Sequence, residues 1–220
     1  MTRPRNGVTH LPTPGWSLPK NFMDNIDQRL QQQFQFLMEL DKLKSVFRRS
    51  ILSHEERAEN SGEHSWHVAV MAMLLYEYSN VKVDLLKVMK MLLIHDVVEI
   101  DAGDTYIYDK VSNEGKVDRE RQAAERIFGL LPMEQAEEFK DLWEEFEAKE
   151  TDEAQFAGSC DRLMPLLHNY YGQGKVWLKN GIRKESVSEI MLNIKPGSES
   201  LWRASQEIIE KSVEQGYLKD

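Results

Sequence analysis

Apolar residues recur every three or four positions from Asn21 to Phe47: Phe22, Ile26, Leu30, Phe34, Leu37, Leu40 and Leu43. That spacing predicts one amphipathic helix. Residues 1–20 precede it with Pro4, Pro12, Pro14 and Pro19 and with Gly7 and Gly15, a density of breakers that predicts an extended arm. Residues 48–62 are polar and close on Asn60-Ser61-Gly62, which predicts a connection. A helix is expected from about Glu63 through the nearly unbroken apolar stretch Val68–Tyr76, and another over Asp84–Val98 with Asp84 as N-cap. Both are apolar on most faces and are therefore expected to be central. Gly103, Gly115, Asn113 and several aspartates make 101–117 a long loop. Helical pattern returns over Asp118–Leu130, Glu134–Glu150, Asp152–Tyr171, Lys184–Ile194 and Glu199–Gln215, with Gly172, Gly174 and Lys195-Pro196-Gly197 as breaks. No strand alternation and no fixed repeat stand out. The pattern predicts an all-α protein, a compact helical bundle with additional C-terminal helices, in one domain over 21–220.

Composition narrows the partners. A net charge of −9 argues against a nucleic-acid polymer as ligand, because such binding needs a basic surface. It leaves room for a small phosphorylated substrate, since a few arginines and a metal ion reverse the field locally. No apolar run reaches the roughly 20 residues of a membrane span, and the opening residues lack the apolar core of a signal peptide. With a single cysteine, Cys160, the expected compartment is the cytoplasm.

The chemistry concentrates on His95-Asp96, at the end of a strongly apolar segment where an unpaired carboxylate is costly to bury. His64 lies four residues ahead of Val68 and shares its inward face. Two helix ends can thus present His64, His95 and Asp96 to one point, and imidazole with carboxylate suits a borderline divalent cation. Downstream, Asp161 in GSCDRLMPLL is another carboxylate in apolar company. Glu99 and Asp104 add acidic groups where helix meets loop; as anions at a helix C-terminus they oppose the macrodipole, an objection a bound cation removes.

In this order the segments Glu63-His64-Ser65, His95-Asp96-Val97-Val98-Glu99, Gly103-Asp104 and Asp161 resemble the H…HD…D signature of the HD-domain phosphohydrolases, more narrowly their 5′-deoxynucleotidase branch. The similarity covers about residues 40–170. It implies that His64, His95, Asp96 and Asp161 hold one divalent transition metal (Mn, Co, Fe, Ni or Zn), with Glu99 and Asp104 as the catalytic acidic pair facing substrate and water. It also implies that Arg48, at the end of Leu43-Lys44-Ser45-Val46-Phe47-Arg48, contacts substrate phosphate from the preceding helix. Arg49 follows directly, so the assignment admits a slip of one. Where some relatives carry a tryptophan after that arginine, this chain has Arg49-Ser50-Ile51, which leaves sugar selectivity open. The implied reaction is hydrolysis of a nucleoside 5′-monophosphate to nucleoside and phosphate.

Two rival readings remain: a phosphodiesterase or signalling-nucleotide hydrolase on the same metal core, and a helical binding protein with a decayed site. No histidine occurs between His95 and His168, which favours one metal over two. His67 and His168 are expected beside the site or at the surface rather than as ligands, His10 and His54 in solvent, and Trp66 in the core. The Phe139, Trp143 and Phe146 stripe on the acidic helix would need a partner if exposed, which makes a homodimer the expected assembly.

Overall fold

The computed structural model describes residues 26–109 and 114–220. The predicted arm, His10 and the start of the first predicted helix lie outside the described residues. In chain order the described elements are α1 (Gln28–Leu40), a 3-10 turn (Asp41–Ser45), β1 (Phe47–Ile51), β2 (Ala58–Asn60), α2 (Ser61–Leu75) and α3 (Leu85–Ile94). They continue with α4 (Glu99–Ala102), α5 (Lys116–Phe128), α6 (Met133–Ala148), α7 (Asp152–Tyr171), α8 (Lys175–Asn180), α9 (Lys184–Met191) and α10 (Glu199–Glu214). The helical expectation holds, with one small sheet added.

Three departures matter for the site. The first predicted helix stops at Leu40 and tightens into the 3-10 turn, so Phe47 and Arg48 are not helical. The polar stretch 48–62 is no plain connection: β1 and β2 pair antiparallel, Phe47 opposite Asn60 and Ile51 opposite Ala58, with an irregular register between them. The strands are short and polar, so hydrophobic alternation could not reveal them. The helix opening at Leu85 ends at Ile94, leaving His95 as its C-cap and Asp96 in the following turn. Start signals read better than stops. Asp84 caps α3, its side chain accepting from the amides of Leu86 and Lys87. Asn60 caps α2 in a reciprocal box with Glu63, which moves that start two residues upstream.

Helix α7, 20 residues long, is the axis of the molecule. Its buried Phe156, Ala157, Cys160 and Leu166 pack with Val68 and Ala72 of α2, Val88 and Met91 of α3, and Trp177, Val187 and Ile209 of the C-terminal helices. A second cluster joins Phe36 of α1, Ala124, Ile127 and Phe128 of α5, and Trp143 of α6, beside Val97 and Val98 of the turn after α3. The α6 stripe is therefore covered within the chain: Phe139 meets Phe36 edge to face at 5.6 Å, and Trp143 and Phe146 are buried. That removes the stripe as a reason for a homodimer. Trp66, expected inside, is 63% exposed and stacks on His67, because its position on α2 faces away from α3 and α7. At the other end, Gly174 has φ +69°, and a Cβ there would collide with the Tyr217 carbonyl, so only glycine lets the C-terminal turn close on the α7–α8 junction.

Phe156 is wholly buried at the centre of the larger cluster. Phe156→Ala should cost about 3–5 kcal/mol of stability in urea unfolding; a loss below about 1 kcal/mol would contradict the packing described.

Candidate active site

Three helices converge on one buried set of polar side chains. His64 sits in the first turn of α2, His95 caps α3, Asp96 follows it, and Asp161 lies midway along α7. His64 is fully buried, and His95, Asp96 and Asp161 nearly so. His64, His95 and Asp96 each offer a ligand atom, all within 4.8 Å of one another. Asp161 Oδ1 completes the group, 3.0 Å from His64 Nε2 and 3.6 Å from His95 Nε2. The four residues that the sequence singled out as ligands thus meet.

The donors fit a cation. His95 Nδ1 lies 2.8 Å from the Leu92 carbonyl, so its N–H donates there and Nε2 carries the lone pair. That Nε2 is buried with no hydrogen-bond partner. Burial alone would favour neutral His95; Asp96 and Asp161 override it and push the imidazole up to about 9. Two carboxylates in a dry pocket thus draw a proton onto a ring that a divalent ion would otherwise occupy.

Arg48 supplies the other positive charge. Its Nη1 donates to Asp96 Oδ2 at 2.6 Å and lies 3.9 Å from both Glu99 and Asp104. It comes from strand β1 rather than from a helix, and both Arg48 and Arg49 line the cleft beyond it. Neighbours on a strand face opposite ways: Arg48 turns inward while Arg49 lies over the Tyr106 ring at 5.5 Å.

Glu99 opens the single turn α4 rather than closing α3, so it does not sit at the C-terminal end of a long helix dipole, while Asp104 follows the C-cap Gly103. Ser61 Oγ donates to its Oε2 at 2.6 Å. Burial, reinforced by Asp96, raises Glu99 to about 8. Burial also raises Asp104, against the pull of Arg48. Asp161 goes the other way: despite burial, Arg162 at 3.2 Å and the two histidines hold it well below the usual carboxylate range.

Several contributors escaped the sequence reading. Glu59 of β2, 1% exposed, faces His64 Nδ1 at 3.4 Å and Arg48 Nε at 3.9 Å. Arg162 could have been suspected from its place beside Asp161; Glu59 and Ser61 carried no signal without the hairpin. Beyond Arg48 and Asp104 a cleft of about 690 Å³ runs past Tyr106 and Arg162 to Trp177, Val187 and Met191. His54 is solvent-exposed beside Glu55, as expected.

Comparison with known proteins follows this geometry. A model of the HD domain matches residues 40–202. The chain belongs to the HD-domain phosphohydrolase family. Among relatives, the 5′-deoxynucleotidase HDDC2 of Dictyostelium discoideum is 30% identical over 71% of this chain and 86% of its own length. The human 5′-deoxynucleotidase HDDC2 is 32% identical over 60% of this chain and 64% of its own. Among solved structures, a predicted metal-dependent phosphohydrolase from Magnetospirillum magnetotacticum superposes with a TM-score of 0.84 at 46% identity, covering 87% of this chain and 96% of that one. The PH0347 protein of Pyrococcus horikoshii shares the fold at 20% identity, with a TM-score of 0.57. The HD-domain match runs past Gly172 into α10, so the C-terminal helices that wall the cleft belong to the family unit.

In the metal-free protein, Glu99 rises from 4.5 to about 8 and His95 from 6.5 to about 9. Between those values the folded chain holds protons that the unfolded chain has released, so both groups destabilise it as pH rises. Melting temperature in chelator should therefore fall between about pH 6.5 and 9. A flat or rising profile over that window would contradict the site electrostatics.

Proposed function

We propose that this HD-domain protein hydrolyses nucleoside 5′-monophosphates, deoxynucleotides among them, to nucleoside and phosphate. In this reading His64, His95, Asp96 and Asp161 hold one divalent transition ion, of the Mn, Fe, Co, Ni or Zn class. The observation that carries it is the buried pairing of two imidazoles and two carboxylates with Arg48 at the mouth of a cleft. The relatives called 5′-deoxynucleotidases supply the substrate class.

When bound, such an ion polarises phosphoryl oxygens and acidifies a water nucleophile. The chain supplies the rest. Arg48 presents a planar guanidinium, already oriented by Asp96 through Nη1, whose Nη2 can donate to a phosphate oxygen. Ser61 fixes Glu99 Oε2, leaving Oε1, on the Arg48 side, as the atom that holds or passes a proton. Glu99, which burial inclines toward its protonated form, is placed to deliver that proton to the leaving ester oxygen as the P–O bond breaks. Asp104, on the cleft side, orients the attacking water or a sugar hydroxyl. The aromatic and apolar far end of the cleft suits a nucleobase.

The same reading places the enzyme in the cytoplasm, in keeping with the buried thiol of Cys160; among the described residues no helix is long and apolar enough to cross a membrane. It also includes a homodimer, for which the exposed Leu74, Leu86 and Leu93 of α2 and α3 offer apolar surface.

The test is phosphate release from a panel of nucleoside 5′-monophosphates, other phosphomonoesters and diesters, each with several divalent metals. Deoxynucleotides should release phosphate, and Asp96→Ala should abolish it. Glu99→Gln should lower kcat by roughly 10²–10⁴ while metal content stays unchanged. Activity confined to diesters, or full activity in Glu99→Gln, would overturn the assignment.

A further inference from the structure

Across the His64 ring from Asp161 lies a second group of ligand-type side chains, of which Glu59 alone also touches the hydrolytic site. Glu59 of β2, His67 of α2 and His168 of α7 each offer a ligand atom, all within 4.8 Å of one another. Glu59 is 1% and His168 8% exposed. Glu59 Oε2 and His168 Nδ1 are both buried with no hydrogen-bond partner, although they face each other at 3.8 Å. That separation is too long for a hydrogen bond. Across a tetrahedral ion, bonds of about 2.0–2.2 Å put nitrogen and oxygen ligand atoms roughly 3.3–3.6 Å apart, so this pair needs to close by only a few tenths of an ångström to share one. The His67 and His168 rings are tilted at 5.9 Å between centroids, leaving their edges free to converge.

A structural role for Glu59 as a plain acceptor explains less. It would receive N–H groups from His64 at a long 3.4 Å and from His168 at 3.8 Å, and the second does not close into a hydrogen bond. The protonation states also suit a cation. Burial holds His168 in its neutral form. Two positive charges oppose a bound cation: Arg48, 3.9 Å from Glu59 with its Nη1 engaged by Asp96, and Lys175 at the cleft beside His168, paired with Glu56 at 3.4 Å. A route from solvent exists as well: a cleft of about 520 Å³ reaches His168 between His54, Glu55 and Glu56.

We propose that Glu59, His67 and His168 form a second divalent-cation site, separate from the His64/His95/Asp96/Asp161 centre, for a zinc-like ion with solvent completing its shell. Two imidazoles and one carboxylate are a ligand set that zinc uses with an open fourth position. The ion would tie the hairpin to α2 and α7. Glu59 would then face the ion on one side and His64 on the other, linking occupancy of the second site to the orientation of a primary ligand.

The experiment is metal stoichiometry on the untagged full chain, stripped with chelator and titrated with zinc or cobalt, read by elemental analysis and by the visible spectrum of bound cobalt. Wild type should bind two equivalents; His168→Asn and the more accessible His67→Asn should each bind one, with circular dichroism unchanged. Asp96→Ala should keep the equivalent that the histidine variants lose. One equivalent in wild type that survives both histidine substitutions but not Asp96→Ala overturns the second site and leaves the hydrolytic centre standing. One equivalent lost in His168→Asn and kept in Asp96→Ala supports the second site and counts against the first. Two equivalents retained in both histidine variants overturn the proposal.

Discussion

The structure depends on how buried negative charge is compensated where α2, α3 and α7 meet. Asp96, Glu99 and Asp161 are removed from water among apolar helices, where an uncompensated carboxylate costs several kcal/mol. Arg48, Arg162, two imidazoles and the Ser61 hydroxyl are arranged around them. The compensation is uneven, and the unevenness has chemical consequences. Asp161 is stabilised as an anion, Glu99 is pushed toward its protonated form, and His95 is drawn toward its charged form. Neighbouring groups thus carry divergent proton affinities, the condition under which one site can both hold a cation and manage a proton.

The rest of the fold can be understood as holding those groups in place. α7 carries Asp161 in its middle, and Pro165, one turn on, lacks the N–H that would bond the Asp161 carbonyl. The hairpin brings Arg48 inward from one side and Glu59 from the other strand, across short polar strands that gain little from their own pairing. α8 and α9 contribute Trp177, Val187 and Met191 to the cleft wall while their other contacts lie in the main core. Site and core therefore share residues, and a change that loosens α7 against α2 disturbs both.

Much of this was legible in the sequence because the ligands lie where helical periodicity is strong. Residue chemistry and helical pattern bring out His64, His95-Asp96 and Asp161 as candidates, the resemblance to the HD signature supplies their ordered set, and the predicted helices that carry them match within a few positions. What escaped was set by tertiary context. Nothing in VMKMLLIHDVV says that the helix stops at Ile94, because the stop comes from the turn that turns Asp96 inward and lets Glu99 open a new helix. β1 and β2 lack alternation, so Arg48 was placed on a helix and Glu59 was passed over. Trp66 was expected inside on size alone, whereas its helical phase points it to solvent. The α6 stripe was read as surface in need of a partner, and α1 and α5 of the same chain cover it.

The central claim, that His64, His95, Asp96 and Asp161 converge on one cation, is tested most directly by anomalous diffraction from crystals grown with manganese. The account predicts an anomalous peak bounded by the ring nitrogens of His64 and His95 and the carboxylates of Asp96 and Asp161. Crystals that contain manganese but show no peak there, or a peak held without either His64 or Asp161, would contradict it.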